Sequence, residues 1–153
     1  MPRLPLLVVQ YDISPGLLNH EHWGLVVYYA EGNGKGRVFE MSGTLGDFHF
    51  NTKDVNLFSS RQFCGGCKVG AIEENKMNDL ETWLRAVPNQ CRVNPAWNCQ
   101  TWVVDAIREL QMGNRGVIFS PFSERALRVE LAADKERSET GYNTIIEGGR
   151  AFE

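Results

Sequence analysis

Residues 94–110 read NPAWNCQTWVVDAIREL, and this stretch decides how the rest of the chain is read. Cys99, Trp102, Val103, Ala106, Ile107 and Leu110 recur at three- and four-residue steps, the spacing of one helical stripe. A helix is therefore predicted from Asn98 to about Met112, with Gly113 ending it. Asn98 is a good N-cap, which sets Cys99 in the first turn. A thiol there meets unpaired backbone N–H groups and the positive end of the helix dipole, and both favour the nucleophilic thiolate. A cysteine on an apolar stripe is more often simply a small buried side chain. Only a base beside it would make Cys99 a nucleophile.

The chain has three histidines, His20, His22 and His49. His22 opens HWGLVVYYA (22–30), and RVFEMSG (37–43) follows after EGNGKG, whose glycines and Asn33 are hairpin chemistry. Two antiparallel strands are expected. Side chains alternate, so His22, Gly24, Val26 and Tyr28 share one face while Trp23, Leu25, Val27 and Tyr29 share the other. Gly24 leaves room for another element, for which the Cys99 helix is the natural visitor. If the loop pairs the strands with odd length, Val38, Glu40 and Ser42 join the His22 face, and Glu40 can orient the imidazole. Taken alone, His22 reads as a satisfied strand-end histidine and Glu40 as a solvated hairpin charge.

Outward from this core, LPLLVVQY (4–11) reads as a strand ended by SPG. DFHFN and DVNLF (47–58) read as a strand or as a crossing segment, and KVGAIEE (68–74) as a short strand. NDLETWLRAV is a second helix, with Asn78 and Glu81 as a capping-box-like pair and Pro88 as its stop. A third, more charged helix opens at Ser120–Pro121 and runs through ERALRVELAADKERSE. The order of elements predicts an α+β fold, an antiparallel sheet of four to six strands with helices packed on it. One domain over 1–153 is expected, with a core of about residues 5–140 and a loosely held or extended tail over 141–153.

Composition narrows the function. A net charge of −3 with scattered Lys and Arg argues against nucleic-acid binding. No stretch approaches the length of a membrane span, and the N-terminal apolar run lacks a cleavage site. Four cysteines are too few for a disulfide scaffold, so reduced thiols in the cytoplasm are expected. Cys64 and Cys67 form a C-x-x-C in FCGGCKVG, but a strand-like segment follows it rather than a helix. A glycine turn is the first reading of that motif. A redox pair, or a zinc site completed by Cys91 or His49, is the alternative. His20 and His22 as an H-x-H metal pair are a minor option, and no cofactor or metal is expected. The four tryptophans belong by default in the core, with Trp97 and Trp23, flanking the candidate cysteine and histidine, as those placed to touch a substrate.

HWGLVVYY, then RVFEM, then WNCQTW, in this order, is similar to the circularly permuted papain-like superfamily, including the lecithin:retinol acyltransferase group and the permuted thiol peptidases. The unpermuted NlpC-type enzymes place the cysteine first, whereas here His22 precedes Cys99. The resemblance covers about a third of the chain. It implies Cys99 as nucleophile, His22 as base and Glu40 as the residue that orients it. Acyltransferase members often carry histidine where Glu40 stands, and Gln100 replaces the acid some members have after the cysteine. The implied activity is a thiol hydrolase or acyltransferase acting on a small-molecule or peptide acyl substrate through a thioester. The Cys99 N–H would be one oxyanion donor, with Gln10, Tyr11 and Asn94 as candidates for the second. A binding protein that keeps the fold without turnover is the other reading.

Overall fold

The computed structural model describes residues 3–12, 21–29, 33–44, 47–113, 117–119, 123–139 and 145–146. The fold is α+β. Six antiparallel strands form one sheet: β1 (Arg3–Tyr11), β2 (His22–Tyr28), β3 (Lys35–Thr44), β4 (Asp47–Asn56), β5 (Phe63–Glu73) and β6 (Val117–Phe119), in the order β4-β3-β2-β1-β5-β6. A two-residue strand, β7 (Ile145–Ile146), lies parallel to β5. Three α-helices, α1 (Met77–Arg85), α2 (Cys99–Met112) and α3 (Glu124–Glu139), and two 3-10 turns, Leu57–Ser59 and Glu74–Lys76, complete the described elements. None is long and apolar enough to cross a membrane.

Strand alternation gives the sheet two distinct faces. Leu4, Leu6 and Val8 of β1, Trp23, Leu25 and Val27 of β2, and Phe39 and Met41 of β3 join Trp102, Val103, Ala106, Ile107 and Leu110 of α2 and Leu127 and Leu131 of α3 in the main core. The other face buries Leu7, Val9, Val26 and Val38 under Leu57 and Phe63, which follow β4. Asp47–Asn56 is a full strand, paired with β3 from Lys35↔Asn56 to Thr44↔Asp47.

Four readings are corrected. FCGGCKVG is not a turn but lies within the eleven-residue strand β5, where a register shift against β1 and Gly65 at φ +130° let α3 approach: Asp134 accepts a hydrogen bond from the Gly66 N–H at 2.9 Å. Asn78 does not cap α1, which starts a residue earlier behind Lys76 and has no side-chain cap. Strand β6 was not foreseen, because three residues carry too little pattern. Gly24 admits Val38 and Glu40 of β3, not α2: a Cβ there would stand 3.0 Å from Val38 Cγ2, while α2 packs on the opposite face. His20, the proposed opening of α3 at Ser120–Pro121 and most of the 141–153 tail lie outside the described residues.

Candidate active site

Asn98 builds the first turn of α2. Its side chain accepts from the N–H of Gln100 and of Thr101, and the Thr101 hydroxyl in turn accepts from the Asn98 N–H, a reciprocal capping box. The Trp102 N–H goes to the Asn98 carbonyl. Among the described residues no acceptor takes the Cys99 N–H, so one first-turn donor stays available beside the sulfur.

His22 is the first residue of β2 and is partly buried. It hydrogen-bonds the Cys99 side chain on the helix side, and Nε2 lies 2.7 Å from Glu40 Oε1 on the other. With Nε2 engaged by Glu40, Nδ1 is the nitrogen that remains for sulfur. The other Glu40 oxygen accepts from Asn51 Nδ2 at 3.0 Å, and Asn51 sits directly opposite Glu40 in the β3–β4 register. The result is a continuous series: thiol, imidazole, carboxylate, amide.

Charges in this series support one another. Burial alone would depress the His22 pKa, but the bonds and charges of Cys99 and Glu40 outweigh it and raise it to about 9. Burial would raise the Cys99 thiol, yet the His22 bond and charge, with the N–H groups of Trp23 and Gln100, bring it below the ordinary thiol value. Glu40 is likewise held low, because His22, Asn51 and Lys53 outweigh its desolvation. All three shifts favour the charged forms, imidazolium beside thiolate and carboxylate. By contrast, burial pushes Cys64 up to about 12, the reverse of a reactive thiol. Cys64, Cys67, Cys91 and Cys99 are all free thiols. Among the described residues no three His, Cys, Asp or Glu side chains are grouped to hold a metal ion.

A cleft of about 520 Å³ opens on the face away from the helices, and its lining includes Tyr11, His22, Glu40, Lys53, Asn56 and Gln62. Tyr11 pairs with His22 across β1 and β2, its ring centroid 6.0 Å from the imidazole. Burial, then the Glu40 charge, raise its hydroxyl to about 12, so it stays a neutral donor.

The four residues expected to contact substrate are placed otherwise. Trp97 is 1% exposed, packs edge-on against Phe48 and donates from Nε1 to Asp105 at 3.0 Å; it is core. Trp23 is equally enclosed, its ring beneath the Arg128 guanidinium, and only its backbone N–H reaches the sulfur. Gln10 alternates onto the helix face, where its amide donates to the carbonyls of Cys64 and Leu131. Asn94 is exposed and holds the turn before α2 by accepting from the Ala96 N–H. Gln10 and Asn94 are therefore not the second oxyanion donor.

Two participants went unseen in the sequence. Asn51 faces Glu40 only because β4 folds back in register, and Gln100 bonds to the carbonyl of Glu21, which is distant in sequence. No curated protein and no solved structure matches the chain. Residues 7–117, which take in most of the sheet together with α1 and α2, match a family described as a family of unknown function (DUF6540). The match covers most of the chain and includes His22, Glu40, Asn51 and Cys99, and the chain belongs to that DUF6540 family.

Proposed function

We propose that the protein is a cysteine-dependent hydrolase or acyltransferase that works through a thioester on Cys99, in a permuted papain-like arrangement. The observation that carries this reading is the imidazole of His22 bonded on one side to the Cys99 thiol and on the other, at 2.7 Å, to Glu40. Three groups of these types in that order are what activates a sulfur nucleophile. The succession of a histidine strand, a carboxylate strand and a cysteine helix is that of the permuted enzymes.

In this mechanism the Cys99 thiolate adds to the carbonyl carbon of an amide, ester or thioester. The oxygen takes the negative charge and is met by the Cys99 N–H at the head of α2. As the intermediate collapses, the bond to the leaving group breaks and that group takes the proton from His22. Neutral His22 then removes a proton from water, an alcohol or an amine, which attacks the thioester and frees the sulfur. Glu40 holds the ring in the working orientation and stabilises its charged form, and Asn51 holds Glu40.

Alkylation of the whole protein with iodoacetamide, mapped by mass spectrometry across about pH 6 to 8, tests the reading. Cys99 is expected to label well ahead of Cys64, Cys67 and Cys91, and His22→Ala is expected to remove that lead. Equal labelling of all four thiols would overturn it.

A further inference from the structure

Gln100 is 5% exposed, and its side-chain amide is tied at both ends. Nε2 donates to the Glu21 carbonyl at 2.8 Å, and Oε1 accepts from Arg128 Nη1 at 2.7 Å. Glu21 immediately precedes His22, and Gln100 immediately follows Cys99. One amide therefore fastens the neighbours of both reacting groups, and Arg128 of α3 decides which way that amide faces. An amide turned over would offer oxygen, not N–H, to the Glu21 carbonyl. Arg128 is itself fixed by Glu124 at 3.0 Å and lies 4.7 Å over the Trp23 ring, whose residue supplies a backbone N–H to the sulfur. Lys135, a further residue of α3, reaches the Glu21 carboxylate at 2.8 Å. Helix α3 lies beyond the span shared with the DUF6540 family, yet it holds the head of β2 against the head of α2.

We infer that Arg128 is a positioning residue: through Gln100 it sets the separation of the Cys99 sulfur and the His22 ring, and so the reactivity of the thiol. The inference rests on the proposed nucleophilic role of Cys99. A strand held at its first residue is prone to fray, and a reacting pair tolerates little displacement. The charged and titratable groups around the pair are Glu40 of β3, Lys53 of β4, Tyr11 of β1, Glu21 before β2, and Arg128 and Lys135 of α3.

The test is the pH profile of Cys99 alkylation by iodoacetamide in the full chain, with thermal unfolding followed in parallel. Gln100→Met breaks the amide while keeping the Arg128 charge, Arg128→Lys keeps the charge without the planar fork, and Arg128→Met removes both. All three are expected to move the labelling midpoint upward by about one pH unit, about tenfold slower labelling below the midpoint. Should Arg128→Met fail to fold, the other two decide. A wild-type midpoint below that of an ordinary thiol, unmoved in Gln100→Met or fully restored in Arg128→Lys, overturns the positioning role and leaves the nucleophile intact. An ordinary midpoint in the wild type overturns both.

Discussion

At the scale of single residues, Glu40 works by fixing the charge of its neighbour. Together with the larger contribution of the Cys99 bond, it outweighs burial and raises the His22 pKa, so the imidazolium persists up to about 9 against an ordinary 6.5. Under the proposed mechanism the leaving group needs that proton, so turnover is expected to fall as pH rises through about 9. Plain alkylation, which needs only thiolate, is expected to hold its plateau there. In Glu40→Gln the upper limb should move down toward the ordinary histidine value, and in Asn51→Ala it should move the same way by less, both read from pH–rate profiles. That Cys99, His22 and Glu40 come together was legible because each placement depends on local rules: a cap, a strand alternation, a hairpin parity. Asn51 was not, since its role depends on β4 folding back in one register. Trp97 misled for the opposite reason: a loop tryptophan beside a cysteine looks available, but Asp105 and Phe48 draw it into the core.

At the scale of elements, α2 is specified twice over, by its apolar stripe and by Asn98. Asn98→Ala removes the acceptor for two first-turn N–H groups and is expected to cost about 1 kcal/mol in denaturant unfolding. The same change should slow Cys99 labelling, because the cap holds the turn that carries the sulfur. Strand β5 was misread because its glycines look like a turn when considered locally. Its reason lies elsewhere in the chain: a Cβ on Gly65 would stand 2.2 Å from Asp134 Oδ2, with φ at +130°. Gly65→Ala is accordingly expected to destabilise by about 3 kcal/mol or to prevent folding, seen in the unfolding midpoint. Helix α1 shows the converse error, a capping pattern in sequence that the preceding 3-10 turn, Glu74–Lys76, makes unnecessary.

At the scale of the whole molecule, one sheet divides two tasks. Its helix side carries the main core, and its other side carries a smaller apolar cluster and the cleft. Val8 and Val9, consecutive in β1, face the two clusters, so neither can melt without disturbing the other. Unfolding is therefore expected to be a single transition, with far-ultraviolet circular dichroism and tryptophan fluorescence coinciding; separated transitions would refute that coupling. The fold class was legible because element order constrains layering, whereas the partner of β1 on its second side was not. That partner is β5, joined from Arg3↔Glu73 to Tyr11↔Phe63. A chain leaving the ribosome presents β1 first and can pair one of its edges with β2 soon afterwards. The other edge of this leucine- and valine-rich strand must wait until β5 has been synthesised. During translation this protein therefore passes through an interval in which an apolar strand stands with one side of its backbone unpaired, the longer the slower the elongation.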